Sequence, residues 1–107
     1  MKILIAAKRE GWDAPVSDHF GRAPGFSLYD DATGELTWHS NEENKQAEHG
    51  VGIQAAQLAA TLGADLVITG GNFGPKAGEV LQKTGAKLID YAGDITVKQA
   101  VEKYKNS

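Results

Sequence analysis

No cysteine occurs among the 107 residues of this chain. That absence excludes a disulfide framework, a thiol nucleophile and the thiolate anchors of structural zinc and of iron–sulfur clusters, and it leaves the compartment open. Proline is scarce as well, with three residues, and no Pro-rich linker or low-complexity stretch divides the chain. Charge is not one-sided: 11 Lys and Arg stand against 14 Asp and Glu, a formal net charge of −3. Without a basic face there is no electrostatic footprint for a nucleic-acid partner. No apolar run approaches the roughly 20 residues that span a bilayer. The short run after Met1-Lys2 is also below the length of a signal peptide's apolar region. A single cytoplasmic domain over 1–107 with no membrane partner is the expectation, long enough for one hydrophobic core.

What is present reads as alternating strands and helices. Ile3-Leu4-Ile5-Ala6-Ala7 is continuously apolar, as a central strand covered on both faces should be. It carries no central carboxylate, so a two-metal nuclease site has no starting ligand. A long polar loop follows over 8–24, with few apolar anchors and high expected mobility. Residues 26–30 and 35–40 alternate in polarity around an Asp31-Ala32-Thr33-Gly34 turn and make a hairpin. After a polar loop over 41–48, a helix is predicted over 50–62, with Val51, Ala55, Leu58, Ala59 and Leu62 inward and Gly63 at its end. A buried strand over 65–69 leads to a glycine-rich loop. Pro75 opens a second helix reaching about Thr84, with Ala77, Val80, Leu81 and Thr84 inward. Residues 87–91 form the last strand. Thr96 and Gln99 make a capping box for a final helix whose inner face is Val97, Ala100, Val101 and Tyr104. The order β-β-β-α-β-α-β-α implies an α/β domain with a five-stranded, mostly parallel mixed sheet and helices on both faces.

Three constellations could carry chemistry. In Asp18-His19-Phe20-Gly21-Arg22 an imidazole, a carboxylate and a guanidinium share one short loop. Imidazole is the commonest protein metal ligand, and the guanidinium fork suits multiply charged anions. Gly21 lets backbone approach a ligand closely. The competing reading makes His19 a loop cap and Phe20 an anchor to the core. His49 and Gly50 precede the first helix, where unpaired N–H groups and the helix dipole attract anions; His49 there is either a cap or a ligand contact. Gly70-Gly71-Asn72-Phe73-Gly74-Pro75-Lys76 joins a strand to a helix, a junction that either cradles an anion or simply packs tightly. It matches neither the P-loop nor the dinucleotide pattern. Ser17 and His19 stand too close in sequence to imply a nucleophile–base pair, and His39, beside Trp38 on a strand, is assigned no role.

Taken in order, Ser17-Asp18-His19-Phe20-Gly21-Arg22-Ala23-Pro24, His49-Gly50-Val51-Gly52 and Asp65-Leu66-Val67-Ile68-Thr69-Gly70 with Gly74-Pro75-Lys76-Ala77 resemble the signatures of the dinitrogenase iron–molybdenum cofactor biosynthesis family, the nitrogenase accessory-factor domains. The resemblance spans almost the whole chain. It implies a ribonuclease-H-like three-layer fold without nuclease activity, and non-enzymatic binding or carriage of an anionic metal–sulfur cluster. That cluster is an iron–sulfur–molybdenum cofactor precursor, or a molybdenum–copper sulfide held non-covalently as in the small stand-alone branch of the family, which the absence of cysteine fits. His19 is the position the resemblance marks as a metal ligand; Phe20, Gly21, Arg22, His49, Gly50, Gly71, Asn72, Phe73 and Gly74 would complete the cofactor site. Cluster donor and acceptor proteins are the implied partners. A module for a small anionic metabolite, or a scaffold docking onto a partner protein, are the alternatives.

Overall fold

Lys2–Ala7 forms β1, and its continuous apolar character follows from burial on both sides. Leu4 and Ala6 face one layer, while Ile3, Ile5 and Ala7 face the other. β2 (Gly25–Asp30) and β3 (Glu35–Ser40) are the antiparallel hairpin read from alternation, and β2 pairs with the outer side of β1. β4 (Leu66–Ile68) and β5 (Lys87–Ile89) add in parallel on the inner side, giving the sheet order β3-β2-β1-β4-β5. The protein is therefore an α/β domain with a five-stranded mixed sheet. The computed structural model describes residues 1–46 and 50–106, the side chain of Lys45 excepted.

The helices divide between the two faces. α2 (Val51–Thr61) and α3 (Pro75–Lys83) cover Leu4, Ala6 and Val67, with Ala55, Ala56, Ala59, Ala77 and Leu81 as the inward side chains. The small alanines let the helices lie close to the sheet. α4 (Val97–Tyr104) covers Ile3, Ile5, Leu66 and Ile68 with Val97, Ala100 and Val101. Its capping box is present as read: Gln99 N–H donates to Thr96 Oγ1 at 3.1 Å, and Thr96 N–H donates to Gln99 Oε1 at 2.9 Å.

Four local expectations need correction. Residues 41–48 are not all loop, because Glu42–Lys45 forms one helical turn, α1, ahead of α2. Glu42 N–H donates to Ser40 Oγ at its start, and Asn44 Nδ2 donates to the Val51 carbonyl at 3.0 Å. One turn is too short to show helical periodicity in sequence. Thr84 is exposed; it ends α3 by donating its hydroxyl to the Leu81 carbonyl at 2.6 Å. Tyr91 lies outside β5, in a left-handed conformation at φ 52°. The loop over 8–24 is well anchored, with Ala14, Val16, Phe20 and Ala23 buried. Val16 N–H also reaches the Ile95 carbonyl at 2.9 Å, so this loop joins the sheet to the start of α4.

Candidate functional site

Ser17 sets the first loop of the site. Its N–H donates to the Ala6 carbonyl at 2.8 Å, laying this segment antiparallel beside the end of β1. Its own carbonyl accepts from Gly70 N–H at 2.8 Å and from Thr69 Oγ1 at 3.3 Å, fastening the loop to the end of β4. Its hydroxyl accepts from His19 N–H at 3.2 Å and donates to the His19 carbonyl at 3.0 Å. These bonds engage the backbone of His19 and shape a turn.

Two glycines then permit contacts that any side chain would block. A Cβ on Gly71 would overlap the Asp18 carbonyl oxygen. One on Gly21 would stand 2.8 Å from the amide nitrogen and 2.9 Å from the Cα of Gly52, in the first turn of α2. Asn41, buried at the end of β3, donates from Nδ2 to the carbonyls of both Gly21 and Ala23 at 2.9 Å. Asn41 gave no signal in the sequence, where it reads as one more polar loop residue.

The result is a cleft of about 490 Å3 beyond the carboxyl ends of the parallel strands, where ligands gather in open α/β sheets. His19, Gly21 and Arg22 line it from the first loop; Gly71, Asn72, Phe73 and Gly74 line it from the loop after β4. His19 and Arg22 are exposed at its rim. Phe20 contributes only to the floor. It is 2% exposed and packs on Phe26 and Phe73 at ring-centroid distances of 5.3 and 5.1 Å. Gly50 is the N-cap of α2 and precedes the lining residue Val51 without lining the cleft itself. His49 lies outside the described residues.

Besides the named site residues the cleft is lined by Asp18, Val51, Gly52, Pro75, Lys76 and Ala77, which all belong to the motifs read from sequence, and by Tyr91, which does not. Lys76 was legible as the end of the glycine-rich junction over 70–76. Tyr91 was not, since alternation assigns it to β5.

The electrostatics favour an anion. Arg22 and Lys76 share the cleft lining with the single carboxylate of Asp18 and with the imidazole of His19. α2 and α3 both begin on its wall behind glycine N-caps, neither has a side-chain cap, and neither has an acidic residue in its first turn. Such ends present positive dipole to whatever they face. Among the described residues, the ionisable groups displaced from their ordinary values do not line the cleft. The Arg9 guanidinium, hydrogen-bonded at 3.0 Å, holds the Asp13 carboxyl low. Partial burial and then the Asp31 carboxylate raise the Tyr29 phenol. Among the described residues no three His, Asp or Glu side chains converge as metal ligands.

The model of the dinitrogenase iron-molybdenum cofactor family matches residues 1–107. The chain belongs to this family. Among solved structures, the apo form of the orange protein from Desulfovibrio gigas is 38% identical, with a TM-score of 0.92 over 98% of this chain and 87% of that one. A putative NifB protein from Thermotoga is 27% identical, with a TM-score of 0.81 over 99% of this chain and 88% of that one. No curated protein matches the sequence. Family and neighbours agree with the resemblance carried by the three motifs, and they connect the chain with metallocluster biosynthesis or binding. Among the described residues no helix is long and apolar enough to cross a membrane.

Proposed function

We propose that this protein binds and carries an anionic metal–sulfur cluster in the cleft and catalyses no reaction. The cargo is an iron–molybdenum cofactor precursor or a molybdenum–copper sulfide. The observation that carries this reading is the meeting of His19, Arg22, Lys76 and two helix starts without side-chain caps on one cleft of about 490 Å3, in a member of this family. A cluster that arrives with its own sulfide ligands needs charge complementarity and few protein bonds. Guanidinium, ammonium and backbone N–H groups supply the first, and the imidazole of His19 can supply a metal bond. The rim position of these groups suits transfer between a donor and an acceptor protein, which are the partners the reading requires.

The test is metal analysis of protein purified without oxygen, followed by reconstitution with tetrathiomolybdate and copper. Uptake is expected to give a visible absorption band with bound metal in fixed proportion. His19→Ala should weaken uptake about tenfold, equivalent to ~1.4 kcal/mol, with an unchanged unfolding midpoint because the side chain is exposed. Equal uptake by both proteins rejects His19 as a ligand. With no three His, Asp or Glu side chains converging among the described residues, the cleft also accommodates a small organic anion. Colourless protein that fails to take up metal but binds such an anion would decide for that alternative.

A further inference from the structure

Tyr91 combines two unfavourable features at one place. Its backbone is left-handed, at φ 52°, a region that bulky L residues rarely adopt and that concentrates at ligand clamps and switch regions. Its side chain is 68% exposed, which leaves a large ring in water. Neighbouring bonds impose the conformation. Tyr91 N–H donates to the Gly71 carbonyl at 2.8 Å, and Ala92 N–H donates to the Thr69 carbonyl at 3.1 Å, so the chain after β5 is tied to the loop after β4. Within the described residues Tyr91 is the one non-glycine residue with positive φ. It also belongs to two concavities at once, lining the cleft on one side and a depression of about 510 Å3 beside Leu88 and Gln82 on the other. Residue 91 thus sits where the two concavities adjoin, with its side chain exposed.

We propose that Tyr91 is the covering residue of the cleft, its ring lying over the bound anion and slowing its escape. This rests on the anion-binding reading of the cleft. A ring placed over the cargo recovers apolar burial and removes water from around Arg22 and Lys76, where exclusion of water strengthens charge interactions. An asparagine tolerates the same φ more readily, so replacing the tyrosine separates covering from folding.

The experiment loads wild type, Tyr91→Asn and Tyr91→Phe with tetrathiomolybdate and copper. The decay of the visible band is then followed in excess copper chelator, and the unfolding midpoint of each unloaded protein is measured. Tyr91→Asn is expected to release its cargo at least fivefold faster with an unfolding midpoint equal to or above that of wild type. Tyr91→Phe, which keeps the ring, is expected to stay within twofold. Release from Tyr91→Asn at the wild-type rate overturns the proposal while leaving the cleft as the binding site. Equal acceleration in both variants overturns it in favour of a hydrogen bond from the phenol. A lowered midpoint in unloaded Tyr91→Asn assigns the residue to structure and also overturns it. If wild type takes up no cluster, the reading of the cleft fails, and the covering role falls with it.

Discussion

Gly21 and Gly78 show how one residue type can carry opposite meanings within the same layer of the fold. Gly78 lies inside α3, and a Cβ there would meet nothing within 4 Å. Gly78→Ala should therefore stabilise the protein by about 0.5–1 kcal/mol, the ordinary difference between glycine and alanine in a helix interior. Gly21 has no unusual φ, yet its Cβ would press on backbone atoms of Val51 and Gly52, which cannot rotate away as a side chain could. Gly21→Ala should destabilise by about 1–3 kcal/mol, the range for overpacking, and should push the first loop off α2. Urea unfolding of the two variants measures both; a stabilising Gly21→Ala would mean that the loop does not seat on the helix. The importance of Gly21 was legible from sequence, as a glycine between an aromatic and an arginine in a polar loop. Phe20 was the ambiguous neighbour. The structure gives its ring to the core with Phe26 and Phe73, as an aromatic between small and polar residues allows.

Among elements, those with periodicity or caps were readable and those held by remote partners were not. α4 follows from its capping box and its apolar stripe, and β1 from its unbroken apolar run. Removing the cap bond with Thr96→Ala should cost about 1 kcal/mol of stability, read by urea unfolding. The loop over 8–24 has no period, and its anchors are single residues spaced irregularly. Their partners are far away in sequence, with Val16 bridging to Ala7, its N–H bonding Ile95, and Pro15 bridging to Thr96. Composition makes such a loop look mobile, whereas its backbone bonds mark its second half as part of the fold. Hydrogen exchange distinguishes the two views. The amides of Val16 and Ser17, bonded at 2.9 and 2.8 Å, should exchange on the order of a hundredfold more slowly than that of exposed Glu10, an opening free energy of about 2.7 kcal/mol. Uniformly fast exchange over 8–24 would restore the mobile loop. Added cluster should then slow exchange chiefly in residues 18–22, the part that reaches the cleft.

For the whole molecule the informative contrast is between global and local charge. The chain carries −3 overall, yet its cleft gathers Arg22, Lys76 and two helix starts against the single carboxylate of Asp18. Topology produces this concentration. β1, β4 and β5 are parallel, so the loops after them leave the sheet at one end, and α2 and α3 start there. The convergence of the first loop with the loop after β4 could be anticipated from strand order. The contribution of residue 91 could not, because it depends on where β5 stops. An anion held at the rim by this arrangement is exposed to screening, since the Debye length is about 10 Å at 0.1 M salt and about 3 Å at 1 M. Uptake of tetrathiomolybdate with copper should therefore weaken steadily between roughly 0.05 and 0.5 M salt. Lys76→Ala provides the internal control. Lys76 is an exposed residue in the first turn of α3, so the substitution should leave stability within about 0.5 kcal/mol. It should lower uptake several-fold at low salt and flatten the salt dependence, because one of the screened charges is gone. Uptake independent of salt in both proteins would transfer the hold from the charges to the imidazole of His19 and the backbone N–H groups. In that case His19→Ala, and not Lys76→Ala, would abolish binding.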